Sequence, residues 1–128
     1  MDMKEYGKYI KDEIQLLVNE NPEGENKEMC GVVILTPDGI EARSVSNLSK
    51  TEEVHYAMCP KELGEKVDDT DFLGGENKNV FLGVWHTHPF HDSNPSSIDI
   101  NNMLLNRWYF IYSVVNGDLT MFKKDKVF

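Results

Sequence analysis

The chain contains a short apolar run that ends in two histidines, Val80-Phe81-Leu82-Gly83-Val84-Trp85-His86-Thr87-His88. A run of this kind predicts a buried β-strand. If the strand continues to its last residue, side chains two positions apart share a face, so His86 and His88 point the same way. Trp85 and Thr87 then point to the opposite face. Two imidazoles on one face of a rigid strand can bind one metal ion, so this stretch predicts a central strand with a candidate metal site at its end.

A carboxylate follows this strand at a distance that a returning loop can span. Asp99 lies 11 residues after His88. Two histidines and one carboxylate leave the fourth tetrahedral position of a zinc ion open to water, which is typical of catalytic zinc. Residues 96–99 also fit a helix capping box with Ser96 as the cap. The two interpretations are compatible, because a capped helix start would fix the direction of the Asp99 carboxylate.

Glu28 and Ser96 are the candidates for catalysis. Glu28 taken alone is a solvated carboxylate next to the predicted strand 29–35, but a zinc hydrolase needs a proton acceptor beside the water that the metal activates. Sequence spacing does not bring Glu28 to the histidines, and only strand pairing would do so. Ser96 is a candidate hydrogen-bond donor to the developing oxyanion, a role worth about 3 kcal/mol in other enzymes. Helix capping is the competing role for Ser96.

The remaining polar and sulfur-containing candidates have ordinary structural interpretations. We expect His91 to be a loop residue, since a fourth protein ligand would close the site to water. His55 is expected on a strand surface, and Asn47 in a turn rather than against substrate. Cys30 is expected in the core, with no partner that would make its thiolate a nucleophile.

Composition limits the classes of partner. The 128 residues are enough for one domain with a single core. The formal net charge of −9 argues against nucleic acid or an anionic membrane surface as the main partner. No apolar run approaches the ~20 residues of a membrane span, and the first residues lack signal-peptide features. Cys30 and Cys59 show no CxxC spacing, so we expect reduced thiols in a cytoplasmic protein.

Hydrophobic periodicity and turn residues predict an α/β protein of the α+β type, with helices packed on a mixed sheet. An acidic, glycine-containing loop over 68–79 is a candidate gate for the site. The predicted helices are 4–19, 60–67 and 96–106, and the predicted strands are 29–35, 40–46, 54–58, 80–88, 108–115 and 119–123.

Three motifs together carry a resemblance to a known family. His86-x-His88-Pro89, Pro95-Ser96-x-x-Asp99 and the upstream Glu28-x-Cys30-Gly31 resemble the JAMM (MPN-plus) metallopeptidases. The resemblance extends over residues 28–123. It is to the compact single-domain members of prokaryotes and phages, which include phage tail-assembly proteins.

The resemblance implies a three-layer MPN/JAB1 fold similar to cytidine deaminases, formed by one domain over residues 1–128. It implies one zinc ion held by His86, His88 and Asp99, with Glu28 as general acid/base and Ser96 supporting the tetrahedral intermediate. It also implies hydrolysis of a peptide or isopeptide bond, often at the C-terminus of ubiquitin or a ubiquitin-like protein. In eukaryotic relatives, insertions around the site clasp ubiquitin, a role that the 68–79 loop would take here.

Two other functions compete with the peptidase. MPN relatives without the metal motif act as scaffolds, so a binding module with little activity of its own is one alternative. A deaminase on a similar fold is the other, but the chain has neither the His-x-Glu nor the Pro-Cys-x-x-Cys signature of the zinc deaminases.

Overall fold

The computed structural model describes residues 3–21, 27–49, 58–67, 70–71, 79–95 and 108–123. Neither of the helices in these ranges combines the length and apolar character that crossing a membrane requires. The helices are α1 (Met3–Asn19) and α2 (Pro60–Val67), and the strands are β1 (Cys30–Thr36), β2 (Gly39–Val45), β3 (Thr70–Asp71), β4 (Asn79–His88), β5 (Trp108–Ser113) and β6 (Leu119–Lys123).

A single mixed sheet contains these strands. Its order is β2-β1-β4-β5-β6, and β3 pairs with β4 outside this path. The central strand β4 pairs antiparallel with β1 and parallel with β5. The outer pairs β1–β2 and β5–β6 are antiparallel hairpins. The predicted α+β architecture is therefore confirmed, and the strand that ends in the two histidines lies in the middle of the sheet.

Helix α1 covers one face of the sheet. Ile10 and Ile14, one helical turn apart, are completely buried, and Val18 continues the same stripe. These side chains pack with residues from β1, β4 and β5, which are Val33, Trp85, Phe110 and Tyr112. The helix predicted over 4–19 is confirmed, and its apolar side packs into the hydrophobic core.

Gly31 allows three strands to approach one another. It lies opposite Trp85 in the antiparallel register of β1 and β4. A Cβ atom at this position would overlap both the Trp85 indole and the Arg43 carbonyl. The indole Nε1 donates a hydrogen bond to that same Arg43 carbonyl at 3.3 Å. Glycine is required here because any side chain would separate β1 from the indole.

The other predicted helices, strands and loops agree with the structure to different degrees. The α2 helix is confirmed at the predicted bounds. Within the loop predicted over 68–79, Thr70–Asp71 instead pairs in parallel with the start of β4. The strand β5 ends at Ser113, two residues earlier than predicted, because Gly117 N–H bonds to the Ser113 carbonyl and closes a turn. The helix predicted over 96–106 and nearly all of the strand over 54–58 lie outside the described residues.

Candidate metal centre

Three buried polar side chains meet where β4 ends. One ligand atom from each of Glu28, His86 and His88 lies within 4.8 Å of the others. The side chains are 5%, 1% and 6% exposed, respectively. The two imidazole rings are 5.1 Å apart between centroids and inclined by 62°. Two imidazole nitrogens and a carboxylate oxygen at this separation form a donor set that suits a divalent transition metal.

Strand pairing brings Glu28 to the histidines. In the β1–β4 register, Cys30 lies opposite His86. Because side chains alternate along antiparallel strands, the residue two positions before Cys30 lies on the same face and opposite His88. That residue is Glu28. His86 and His88 lie on one face, as the sequence predicts, and the Glu28 carboxylate joins them from the segment just before the neighbouring strand β1.

Three hydrogen bonds hold the chain around Glu28 in place. Met29 N–H donates to the Thr87 hydroxyl at 2.8 Å, and Thr87 N–H donates to the Met29 carbonyl at 2.9 Å. Asn47 Nδ2 donates to the Glu28 carbonyl at 2.9 Å. The pairing of β1 with β4 thus continues one residue beyond Cys30. Asn47, which the sequence assigns to a turn, fixes the backbone of the candidate base.

The ring of His88 is oriented by the loop that follows it. His88 Nδ1 lies 2.7 Å from the Asp92 carbonyl oxygen. A carbonyl only accepts, so Nδ1 carries the proton and donates it to Asp92. In the neutral imidazole Nε2 then has the lone pair that a metal ligand requires. This contact cannot be predicted from the sequence, because every residue type offers a backbone carbonyl as acceptor.

A cavity of about 300 Å³ adjoins the cluster and has Glu28 in its wall. Glu62 of α2 also lines this cavity, and a hydrogen bond from the Ser46 side chain holds the pKa of Glu62 below its usual range. A larger hollow of about 620 Å³ lies between α1 and the β1–β2 turn, away from all three cluster residues. The smaller cavity is the one relevant to chemistry, because it reaches a cluster residue.

Cys30 and His91 do not belong to the cluster of Glu28, His86 and His88. Burial, with the nearby charges of Glu28 and Glu62 as smaller causes, raises the pKa of the Cys30 thiol to about 12. A thiol that stays protonated at neutral pH is a poor nucleophile. Cys30 and Cys59 are both free, as expected. His91 is exposed and does not belong to the cluster found among the described residues.

Asp99 and Ser96 lie outside the described residues, as does His55. The predicted metal ligand Asp99 and the predicted oxyanion donor Ser96 therefore remain predictions. Among the residues that are described, the cluster contains two of the three predicted ligands and the predicted base. This donor set fits zinc, and His86 and His88 would hold the ion through ring nitrogens.

The fold and this site define a small α+β protein with a candidate metal centre on its central strand. The chain belongs to the prokaryotic homologs of the JAB domain, because the model of that family matches residues 11–124. The resemblance to MPN-type proteins inferred from the three motifs is thereby confirmed at the level of the family.

Solved structures of other proteins share the fold, including the following two. Protein DSY2949 from Desulfitobacterium hafniense is 19% identical, with a TM-score of 0.66 over 91% of this chain and 88% of that one. A protein from Salinibacter ruber is 20% identical, with a TM-score of 0.51 over 92% of this chain and 86% of that one. No curated protein matches the sequence. The structural neighbours support the fold.

Proposed function

We propose that this protein is a zinc-dependent peptidase that hydrolyses a peptide or isopeptide bond in a protein substrate. The observation that carries the proposal is the convergence of Glu28, His86 and His88 within 4.8 Å in a member of the JAB family. Two imidazoles from β4 and a carboxylate from the segment just before β1 supply both metal binding and proton transfer. The sequence motif that continues to Asp99 would complete the ligand set.

The residues have separate roles in the proposed reaction. A bound zinc ion would supply a water activated for attack at neutral pH. Glu28 accepts a proton from the attacking water and returns it to the leaving amine. His86 and His88 would hold the ion, and Asp99 would be the third ligand. Ser96 donates a hydrogen bond to the oxyanion of the substrate carbonyl.

We propose a ubiquitin-like or phage-tail-type protein as substrate, and the cytoplasm as the location. The substrate class follows from the resemblance of His86-x-His88-Pro89 and Pro95-Ser96-x-x-Asp99 to the JAMM motif. The location is supported by the two free thiols, since disulfides are rare in that compartment.

The role of Glu28 is tested by replacing it with glutamine, because Glu28 is close enough to the imidazoles to act either as base or as ligand. We expect Glu28→Gln to keep its zinc and to lose about 10²–10⁴-fold in cleavage rate, since proton transfer is removed. Zinc content is measured by elemental analysis, and cleavage with a panel of ubiquitin-like fusion proteins. Glu65→Gln is the matched control, because Glu65 is an exposed carboxylate on α2.

Two results would contradict this assignment. If Glu28→Gln loses its zinc, Glu28 is a ligand and the proposed base is wrong. If wild-type protein purified with zinc in the medium contains none, the metallopeptidase proposal itself is wrong.

A binding module that works through a partner is the second candidate. The burial of all three cluster residues to 6% exposure or less favours it, because a substrate must reach the site. Turnover of a fusion substrate by the isolated, zinc-loaded chain would exclude a purely structural role. Zinc binding without turnover on the whole panel would favour the module.

A further inference from the structure

A hydrogen bond to a backbone carbonyl of the following loop orients the His88 ring. Its Nδ1–H donates to the Asp92 carbonyl at 2.7 Å, and this leaves Nε2 as the ligand nitrogen. Asp92 itself is exposed in the loop that leaves β4. The position of its carbonyl therefore depends on what holds that loop.

Ser113, at the end of β5, holds the loop on one side of Asp92. Its hydroxyl donates to the His91 carbonyl at 2.7 Å and accepts from Asn116 N–H at 3.1 Å. Ser113 is completely buried and lies opposite His88 in the parallel register of β4 and β5. Because its hydroxyl both accepts and donates, it links the turn after β5 to the loop after β4.

Thr120, on β6, holds the loop on the other side of Asp92. Its hydroxyl shares a hydrogen bond of 2.6 Å with the hydroxyl of Ser93, which is 8% exposed. The loop is thus fixed at residues 91 and 93, which flank Asp92. The β5–β6 hairpin supplies both attachments, and Val114 N–H adds a third contact to the His88 carbonyl at 3.1 Å.

We propose that Ser113 and Thr120 are positioning residues that fix the tautomer and direction of the His88 ring by holding the Asp92 carbonyl. The effect on metal binding rests on the proposed function, whereas the effect on the tautomer does not. Partners that orient metal-binding histidines typically contribute ten- to hundredfold to metal affinity. We therefore expect about tenfold weaker zinc binding when either hydroxyl is removed.

The experiment compares two variants that lose a hydroxyl, Ser113→Ala and Thr120→Val, with two controls. Thr120→Ser keeps the hydroxyl. Thr36→Val removes a hydroxyl that bonds to the Gly39 carbonyl at 2.9 Å in the distant β1–β2 turn. Long-range ¹H–¹⁵N NMR of the metal-free proteins, at a pH where the imidazoles are neutral, measures the His88 tautomer. Competition with a chromophoric chelator measures zinc affinity.

We expect the Nδ1–H tautomer of His88 in wild type, Thr120→Ser and Thr36→Val, and a mixture of tautomers in Ser113→Ala and Thr120→Val. Zinc affinity should fall about tenfold in Ser113→Ala and Thr120→Val and stay unchanged in the two controls. An unchanged tautomer in folded Thr120→Val would overturn the proposal, as would an equal change in Thr36→Val. If wild type binds no zinc but the tautomer shifts as expected, the positioning role is supported while the metallopeptidase proposal fails.

Discussion

At the end of β4 the two faces of the strand are almost equally hidden from solvent but differ in chemistry. Trp85 on one face is 0% exposed and His86 on the other is 1% exposed. The indole packs against the apolar stripe of α1, and burial of such a surface stabilises the fold by roughly 25 cal/mol per Å². The imidazoles lie beside a carboxylate, and burial of polar groups costs free energy unless new partners replace their water. One face of the strand thus maintains the fold, and the other is suited to a ligand.

The largest expected effect is the loss of bound zinc when an imidazole ring is removed from the polar face. We expect His86→Ala to lose bound zinc completely while remaining folded, because α1 and the Trp85 face are untouched. Elemental analysis measures the zinc, and near-ultraviolet circular dichroism checks the fold. His91→Ala is the control, since this histidine is exposed. Equal zinc loss in both variants would show that the metal is bound elsewhere.

Removing the Trp85 ring from the apolar face should destabilise the fold and leave zinc binding intact. Trp85→Ala is expected to lower the free energy of unfolding by about 3–5 kcal/mol, because it leaves a cavity in the core. Zinc should still bind wherever the variant remains folded. Urea denaturation followed by circular dichroism gives the stability. A loss below about 1 kcal/mol would contradict the central packing role of this indole.

A smaller loss of stability should follow at Thr87, which lies on the Trp85 face and whose hydroxyl holds Met29, in the segment just before β1. Thr87→Val keeps the shape and removes the acceptor of the Met29 N–H bond. We expect a loss of about 1–3 kcal/mol in the free energy of unfolding, because the partly buried Met29 N–H loses its acceptor. Thr87→Ser, which keeps the hydroxyl, should lose less than Thr87→Val. The same denaturation experiment compares the two, and the reverse order would be evidence against the role of this hydrogen bond.

Predictions based on local periodicity agree well with the structure. The helix periodicity of Ile10 and Ile14 and the strand pattern that ends at His88 both depend only on the spacing of side chains. The end of β5 comes two residues earlier than predicted, because the bond from Gly117 N–H to the Ser113 carbonyl closes a local turn there. The short β3 pairing was missed because Thr70–Asp71 lies in a polar stretch with no apolar run.

The candidate site is predictable in part. Its residue types were identified from the motifs, and Thr87 was assigned only to the opposite face. The contacts of Thr87 with Met29, and those of Ser113 and Thr120 with the loop after β4, involve backbone atoms and distant hydroxyls. Such contacts have no sequence signature, because almost any residue offers a carbonyl and serine and threonine occur throughout the chain.

The sequence by itself determined that His86 and His88 share one face, because side chains alternate along any β-strand. Only the tertiary structure decided that Glu28 joins them, because the register that places Cys30 opposite His86 is set by how two distant segments pair. The same is true of the His88 tautomer, which depends on the Asp92 carbonyl. Local geometry follows from residue order, whereas a site built from several strands follows from their pairing.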